Sequence, residues 1–419
     1  MKYIQLFILL FFFNYSSAQC DGPRYKTEIF SDYSVDSDVL YGSNTNIYNI
    51  EEDLFMDVYE AVGDTESQRA LIIFAHGGSF VLGDKADTGM VLIGSDFAKM
   101  GYVTASINYR LGLTTNPLLD LPDSVDAFAA IIRGVHDMKA AIRWFRKDAA
   151  EGDNQYNIDV NKILIAGFSA GGFIVLHQAY LDEESEWPVF EDTVLGVDGG
   201  IAGNSGNAGY DTEFVGGLNV AGAIGDTSWI NPGDEPMMST HGTQDNVVPY
   251  GTEMLSFQLG ALTLNIAIVH GSSSVHEQLN NVGIPNCFTT WEGQGHVPES
   301  DLGPYYDTTY VKSRNFFASL ICNEELNCEY EELISGINDE IAFNNIDIYP
   351  NPFNDKIIIN DLQNIDINTI ELYNLKGQLL KKWTGYHSQL NVSDVDRGMY
   401  LLRITTSQQN TMLVKLVKY

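Results

Sequence analysis

Gly167-Phe168-Ser169-Ala170-Gly171-Gly172 decides how this chain is read. Before it, Lys162-Ile163-Leu164-Ile165-Ala166 is a short apolar, β-branched run, the pattern of a buried strand. After it, Phe173 to Tyr180 can continue as a helix. Strand, Gly-x-Ser-x-Gly and helix together are the setting of a nucleophile elbow. There the serine sits on a strained turn, its hydroxyl raised at the end of a sheet. Gly167 and Gly171 leave room for a strand–helix approach that a Cβ would block, and the helix N-terminus turns its amides toward the same spot. In a chain with 38 glycines the motif also arises by chance, so the rest of the sequence must supply its partners.

A chain of 419 residues can bury a full core and hold more than one domain. Its net charge of -33 argues against nucleic acid and against an anionic membrane surface as partners. The N-terminus explains what it meets instead. Met1-Lys2, the apolar run Ile4 to Phe13 and the small residues Ser16-Ser17-Ala18 make residues 1–18 a signal peptide, with an apolar stretch too short to span a bilayer. Gln19 is a poor residue before a lipidated cysteine, which argues against a lipid anchor on Cys20. No later segment is apolar for long enough to span a membrane. In an exported chain, Cys20, Cys287, Cys322 and Cys328 suggest two disulfides with three possible connectivities. The expected pairing joins Cys322 to Cys328, clipping a helix end to the segment after it, and Cys20 to Cys287. No C-x-x-C pair points to zinc.

Strand and helix patterns alternate along most of the chain. Asn49 to Glu60, Ala70 to Ala75, Tyr102 to Arg110, Val194 to Ala202, Pro236 to His241, Ala261 to Gly271 and Phe288 to Glu292 read as strands. A helix ends at Gly101, Ala127 to Ala149 is a long amphipathic helix, and Asp307 to Cys322 is the last. Strands apolar on both faces imply an α/β fold, a mainly parallel sheet with helices on both faces. Ligands bind such sheets at the carboxyl ends of the strands. The expected divisions are residues 19–325 for this body, 326–341 for an acidic linker, and 342–419 for a small all-β sandwich with short, regularly spaced strands.

A serine hydroxyl needs a base. Of eight histidines, His296 in Glu292-Gly293-Gln294-Gly295-His296 follows a strand and is placed by glycines. His76 reads as structural, His136 and His177 as surface or core-edge positions, and His241 as a brace for the loop after it. His270 and His276 flank a Ser-rich helix start, and His387 lies in the β module. The acid that orients the base is expected to be Asp245, in the loop Gly242 to Pro249, with Asp226 and Asp198 as rivals. Amides for a developing oxyanion would come from Ala170, just after the serine, and from Gly78 and Ser79 in His76-Gly77-Gly78-Ser79-Phe80.

Together with Asn108-Tyr109-Arg110 and the helix Val135 to Arg146, these motifs resemble the α/β-hydrolase superfamily, nearest its carboxylesterase, hormone-sensitive-lipase-like and carbohydrate-esterase members. The resemblance spans about Asn49 to Ser319. It implies a Ser169, Asp245, His296 triad, an acyl-enzyme mechanism, and no metal or organic cofactor. Two departures stand out: Ser79 replaces the third glycine of the usual His-Gly-Gly-Gly, and Phe168 stands where many relatives carry Asp, Glu or His. The tail, with Tyr349-Pro350-Asn351-Pro352-Phe353, Glu371 to Gly377, Gly398 to Ile404 and a basic end, resembles the C-terminal sorting domain of type IX secretion. That implies the type IX machinery as a partner and release or attachment at the cell surface. The competing reading of the tail is a sugar-binding sandwich with Trp383, Tyr386 and Tyr400 as its platform.

The segments Leu111 to Phe128 and Asn204 to Trp229 are expected to cap the site. Leu113, Leu118, Leu119, Phe128, Tyr210, Phe214 and Trp229 would then form an apolar or aromatic acyl pocket. Phe168 and Trp229 are the expected substrate contacts. Secretion points to acetyl or feruloyl esters of polysaccharide, or to a polyester. A serine peptidase of the same fold and a non-catalytic, hydrolase-like surface-binding module are the alternatives.

Overall fold

The computed structural model describes residues 18–113, 123–186, 199–259, 262–300, 303–330, 346–361, 366–374, 379–406 and 411–418. The expected signal peptide up to residue 17, Leu118, Leu119, Asp198 and most of the expected linker lie outside the described residues. The chain divides into two units, Met1–Glu331 and Glu332–Tyr419.

In the first unit the strands are β1 (Tyr33–Thr45), β2 (Glu51–Ala61), β3 (Arg69–Ala75), β4 (Val103–Ile107), β5 (Ile158–Phe168), β6 (Gly217–Val220), β7 (Ala223–Ile224), β8 (Met237–Gly242), β9 (Thr252–Leu259), β10 (Leu262–Gly271) and β11 (Asn286–Trp291). The helices are α1 (Thr88–Lys99), α2 (Ser124–Glu151), α3 (Ala170–Tyr180), α4 (Ser272–Val282) and α5 (Pro304–Cys322). Eight strands form one sheet in the order β1-β2-β4-β3-β5-β6-β8-β11. β1, β2 and β4 pair antiparallel, and from β4 onward every pair is parallel.

The period-two alternation of a strand explains the two cores. In β3, Leu71, Ile73 and Ala75 face one cluster with α2 and α3, while Ala70, Ile72 and Phe74 face another with α1 and α5. β5 divides the same way, Ile163 and Ile165 against Leu164 and Ala166. All of these are fully buried, which is why the runs read as continuously apolar.

Several expectations change. Of the strand expected over Ala261 to Gly271, Leu262 to Gly271 does form one, but β10 pairs antiparallel with β9 and β7 outside the main sheet. The sequence between β8 and α4 therefore holds a hairpin. Of the strand expected over Val194 to Ala202, residues 194–198 lie outside the described residues. Gly199 to Ala202 is a turn, and β6 fills that place. α2 starts earlier than read, because Asp123 accepts from the Val125 and Asp126 amides while Asp126 caps back. β1 went unread: it is an edge strand with exposed residues and two register breaks.

The disulfides are Cys20–Cys322 and Cys287–Cys328, which corrects the expected pairing. The reason lies at the end of α5. Asn323 takes a left-handed conformation (φ 53°) and turns the chain back, with the Glu324 amide bonded to the Ser319 carbonyl at 2.9 Å. Cys328 is thereby carried to the start of β11. Lys26 pairs with Glu324 at 2.6 Å, beside Cys322, and the segment that carries Cys20 reaches Cys322 instead. Among the described residues no helix is long and apolar enough to cross a membrane.

The second unit is all-β, as read, and the ladders between its named strands are antiparallel. Its strands are β12 (Ile346–Tyr349), β13 (Lys356–Asp361), β14 (Ile367–Asn374), β15 (Leu379–Thr384), β16 (Gln389–Asn391), β17 (Gly398–Thr406) and β18 (Thr411–Lys418). They form sheets β12-β13-β16 and β15-β14-β17-β18 over one core that includes Phe353, Ile370, Leu402 and Leu416. Tyr400 is buried with its hydroxyl donating to Asp396 at 2.6 Å, and Trp383 packs partly against the core. Of the three proposed platform aromatics, Tyr386 is the exposed one.

His136 and His177 are not surface residues, since both are fully buried in the first unit, as is nearly all of His276. Burial disfavours the imidazolium and pushes each from 6.5 down to about 4. The unfolded chain therefore takes up protons between about 6.5 and about 4 that the fold does not. The stability linked to these groups is complete above 6.5 and falls as the pH drops toward 4. The urea midpoint should fall over that window. The fall should be shallower in His136→Gln, which keeps a donor for the Gly200 carbonyl (2.7 Å in the native protein) without a titrating group.

Candidate active site

The site is assembled at the carboxyl ends of β3, β5, β8 and β11. At the end of β5, Ser169 has φ 54° and ψ -113°, a conformation that costs strain and has to be imposed by its surroundings. Two glycines impose it. A Cβ on Gly167 would lie 2.0 Å from the Gly171 carbonyl oxygen, and one on Gly171 would lie 2.1 Å from that of Ala75. The Ser169 amide is tied across to the Val220 carbonyl at 2.8 Å.

Ser169 Oγ lies 2.7 Å from His296 Nε2, and His296 Nδ1 lies 2.7 Å from Asp245 Oδ2. Nδ1–H donates to the carboxylate, which leaves Nε2 free to accept the serine proton. The structure thus brings Ser169, His296 and Asp245 into one hydrogen-bonded line. Asp226 is exposed and caps the short turn at Thr227–Trp229.

Asp245 is fully buried at its side chain. Burial alone would raise its pKa, but hydrogen bonds from His241 and His296, the His296 charge and the Val248 amide outweigh it and hold the carboxyl well below the usual range. Oδ1 accepts from the Val247 and Val248 amides at 2.8 and 2.9 Å. His241, also buried, faces Asp245 Oδ2 at 3.2 Å, with its other ring nitrogen accepting from Ser272 Oγ at 2.8 Å. It braces the acid loop as the sequence suggested, and it does so through the acid itself.

The loop after β3 carries the expected oxyanion donors. Gly78, Ser79 and Phe80 have φ of 115°, 55° and 58°, three left-handed residues in a row. The Asn108-Tyr109-Arg110 motif props this loop from below. Tyr109 stacks on His76 (4.4 Å between rings) and donates to the His76 carbonyl at 2.9 Å, and Gly112 donates to the Phe80 carbonyl at 2.8 Å. Arg110 is locked by a buried pair with Asp137, 2.8 Å. Among the described residues the amides of Gly78, Ser79 and Ala170 donate to no protein acceptor, so they are available to an oxyanion beside Ser169.

A small apolar cleft of about 40 Å³ adjoins Ser169, Ser79 and Ala170, walled by Leu113, Val247 and Val248. Past Ala127, Ile131, Phe173 and Leu255, which belong to both spaces, lies a larger cavity of about 290 Å³ lined by Phe128, His177 and Trp229. The β9–β10 hairpin supplies Leu255 and Ile266 to Val269, a contribution the sequence reading missed. Of the expected pocket residues, Leu113, Phe128 and Trp229 line these spaces. Phe214 is buried in the core, and Tyr210 bonds Glu151 instead. Phe168 lines neither space. Side chains alternate along β5, so it packs on the opposite core beside α1 and α5.

Residues 56–202 match the BD-FAE family, and residues 347–419 match the secretion system C-terminal sorting domain. The chain carries both domains, and its larger unit has the α/β-hydrolase fold. Among solved structures it is similar to esterase 2 of Thermogutta terrifontis with propionate bound, at 20% identity over 68% of this chain and 94% of that one, TM-score 0.46. The same esterase phosphorylated by paraoxon matches at 20% identity over 68% and 94%, TM-score 0.45. Its apo form matches at 20% over 66% and 91%, TM-score 0.42. The BD-FAE match contains the Gly78–Ser79 loop and Ser169, while Asp245 and His296 lie beyond it.

Gly167→Ala and Gly171→Ala should each cost about 1–3 kcal/mol of stability through overpacking. Each should also slow fluorophosphonate labelling of Ser169 about a hundredfold, through displacement of the hydroxyl. Gly295→Ala, whose Cβ would meet nothing within 4 Å, should leave both close to native. Thermal melts and labelling rates measured together check this.

Proposed function

We propose that the protein is a secreted serine carboxylic-ester hydrolase. Ser169 Oγ attacks the ester carbonyl while His296 Nε2 takes its proton. The amides of Gly78, Ser79 and Ala170 hold the oxyanion, and Asp245 fixes the imidazole and favours its charged form. His296 then protonates the leaving alcohol. Water, activated by the same imidazole, releases the acid from the acyl-enzyme. The observation that carries this reading is the pair of 2.7 Å contacts linking Ser169, His296 and Asp245, together with three amides free of protein acceptors beside the serine.

The substrate side follows from what lines the spaces around Ser169. The leaving oxygen must come within reach of His296. Neither cavity is lined by His296, so these spaces suit the acyl group. The cleft of about 40 Å³ matches an acetyl group, and the aromatic-walled cavity beyond it matches a longer or aromatic acyl group such as feruloyl. Polysaccharide esters of these acids fit an exported enzyme with its alcohol side open. The sorting domain supports passage through the type IX machinery and a place outside the cell or on its surface.

Ser169→Ala should abolish hydrolysis of p-nitrophenyl acetate, and Asp245→Asn should lower kcat at least about a thousandfold with a small change in KM. Hydrolysis that survives Ser169→Ala would overturn the mechanism. In an acyl panel, Trp229→Ala should weaken feruloyl esters at least about tenfold against acetyl esters, since an aromatic wall is lost from the outer cavity alone. Deleting residues 342–419 should leave the protein inside the outer membrane, which cell fractionation reads.

A further inference from the structure

Glu299 lies three residues beyond His296, on the short turn Pro298–Ser300, and is 3% exposed. Its Oε1 accepts from the Thr240 hydroxyl, from Trp291 Nε1 at 2.6 Å and from Thr309 Oγ1 at 3.3 Å. These donors stand near the carboxyl end of β8, at the end of β11 and on α5, so one oxygen joins three elements around the histidine loop. Its Oε2 is buried without a hydrogen-bond partner, and among the described residues no Lys, Arg or His forms an ion pair with it.

A carboxyl group buried without a cation is a costly way to fill space, and an apolar side chain of similar size would serve packing better. What the carboxyl supplies is direction. Between His296 and Glu299 stands Val297 with φ 45°. For a β-branched residue that conformation is a true outlier, and it persists only where the surroundings over-determine it. Upstream, the loop is tied to the acid loop, Gln244 N to the Gln294 carbonyl and Gly293 N to Thr243 Oγ1, both at 2.8 Å. Downstream of His296, among the described residues, Glu299 is the side chain that ties the loop to β8 and β11.

We infer that Glu299 is a positioning residue for the reaction. Its triple acceptor contact keeps Val297 in its strained conformation and so holds His296 Nε2 on Ser169 Oγ. The inference rests on reading His296 as the general base.

The test uses the full mature chain and three readouts: fluorophosphonate labelling of Ser169, steady-state kinetics on p-nitrophenyl acetate, and the low-field proton resonance of His296 Nδ1–H. Glu299→Ala should label at least tenfold more slowly, lower kcat by a similar factor with KM within twofold, and broaden or lose the His296 resonance. Glu299→Gln keeps an acceptor at Oε1 and loses no partner at Oε2, so it should restore all three to within about threefold of native. If Glu299→Ala does not fold, Trp291→Phe with Thr309→Val removes two of the three donors and should give the same split between kcat and KM. Labelling at the native rate with an unshifted resonance, in Glu299→Ala or in the double variant, would overturn the inference. Equal loss in Glu299→Gln and Glu299→Ala would also overturn it, because charge and not anchoring would then be at work. A native chain that resists labelling as Ser169→Ala does would instead defeat the serine-hydrolase reading itself.

Discussion

The close passage of α3 beneath the ends of β3 and β5 is the constraint on which the site depends. Gly171 sits where a Cβ would be 2.1 Å from the Ala75 carbonyl, and Gly167 where one would be 2.0 Å from Gly171 itself. Only a bare backbone at both positions lets strand and helix meet at that distance. The meeting forces Ser169 into its strained turn, points its hydroxyl out of the sheet and leaves the Ala170 amide beside it. Every other part of the proposed site is arranged around a point fixed by this contact.

The remaining parts carry costs too, strain in two of them and desolvation in the third, and each is held by a different physical means. The loop at Gly78–Phe80 has three consecutive left-handed residues and is propped by Tyr109, with the neighbouring Arg110 locked by the buried pair with Asp137. The acid is desolvated, yet it is kept ionised by donors on both oxygens. Val297 is held between the acid loop and the Glu299 anchor. Strain of this sort is stable only where the surrounding contacts leave the chain no cheaper conformation. Here they come from strands buried on both faces, which do not yield.

These differences in physical means explain what could be read from the sequence. Glycines with steric roles and residues of catalytic type carry local signatures, so the turn at Ser169, the Gly78–Ser79 loop, Asp245 and His296 could be singled out beforehand. The apolar strands were legible for the same reason, since burial on both faces leaves no polar alternation. β1 was not legible, because an exposed edge strand has neither signal. The β9–β10 hairpin was missed because a strand's own residues do not state its pairing direction. The disulfides were misread because one residue, Asn323, reverses the chain between Cys322 and Cys328. Glu299 had no signal at all. A lone acid after a Pro looks like surface, and its burial is decided by Thr240, Trp291 and Thr309, from three separate parts of the chain.

The misplacement of Phe168 carries a further lesson about where selectivity resides. It lies next to the proposed nucleophile in sequence, which made it look like a substrate contact. Along a strand, though, neighbours point to opposite faces, so the residue before Ser169 belongs to the far core. Many of the side chains that do bound the two spaces near Ser169 come from α2, α3 and the hairpin, elements spread over more than a hundred residues of sequence. Leu255 and Ile131 are ordinary core-like residues in sequence, and it is their convergence with Ala127 and Phe173 that makes them walls of both the small cleft and the larger cavity. Bond-making groups need particular atoms and backbone angles, and these leave marks in a sequence. A pocket needs only apolar volume in the right place, and apolar volume is what every core residue supplies. The chemistry of such a protein can therefore be read well before its substrate.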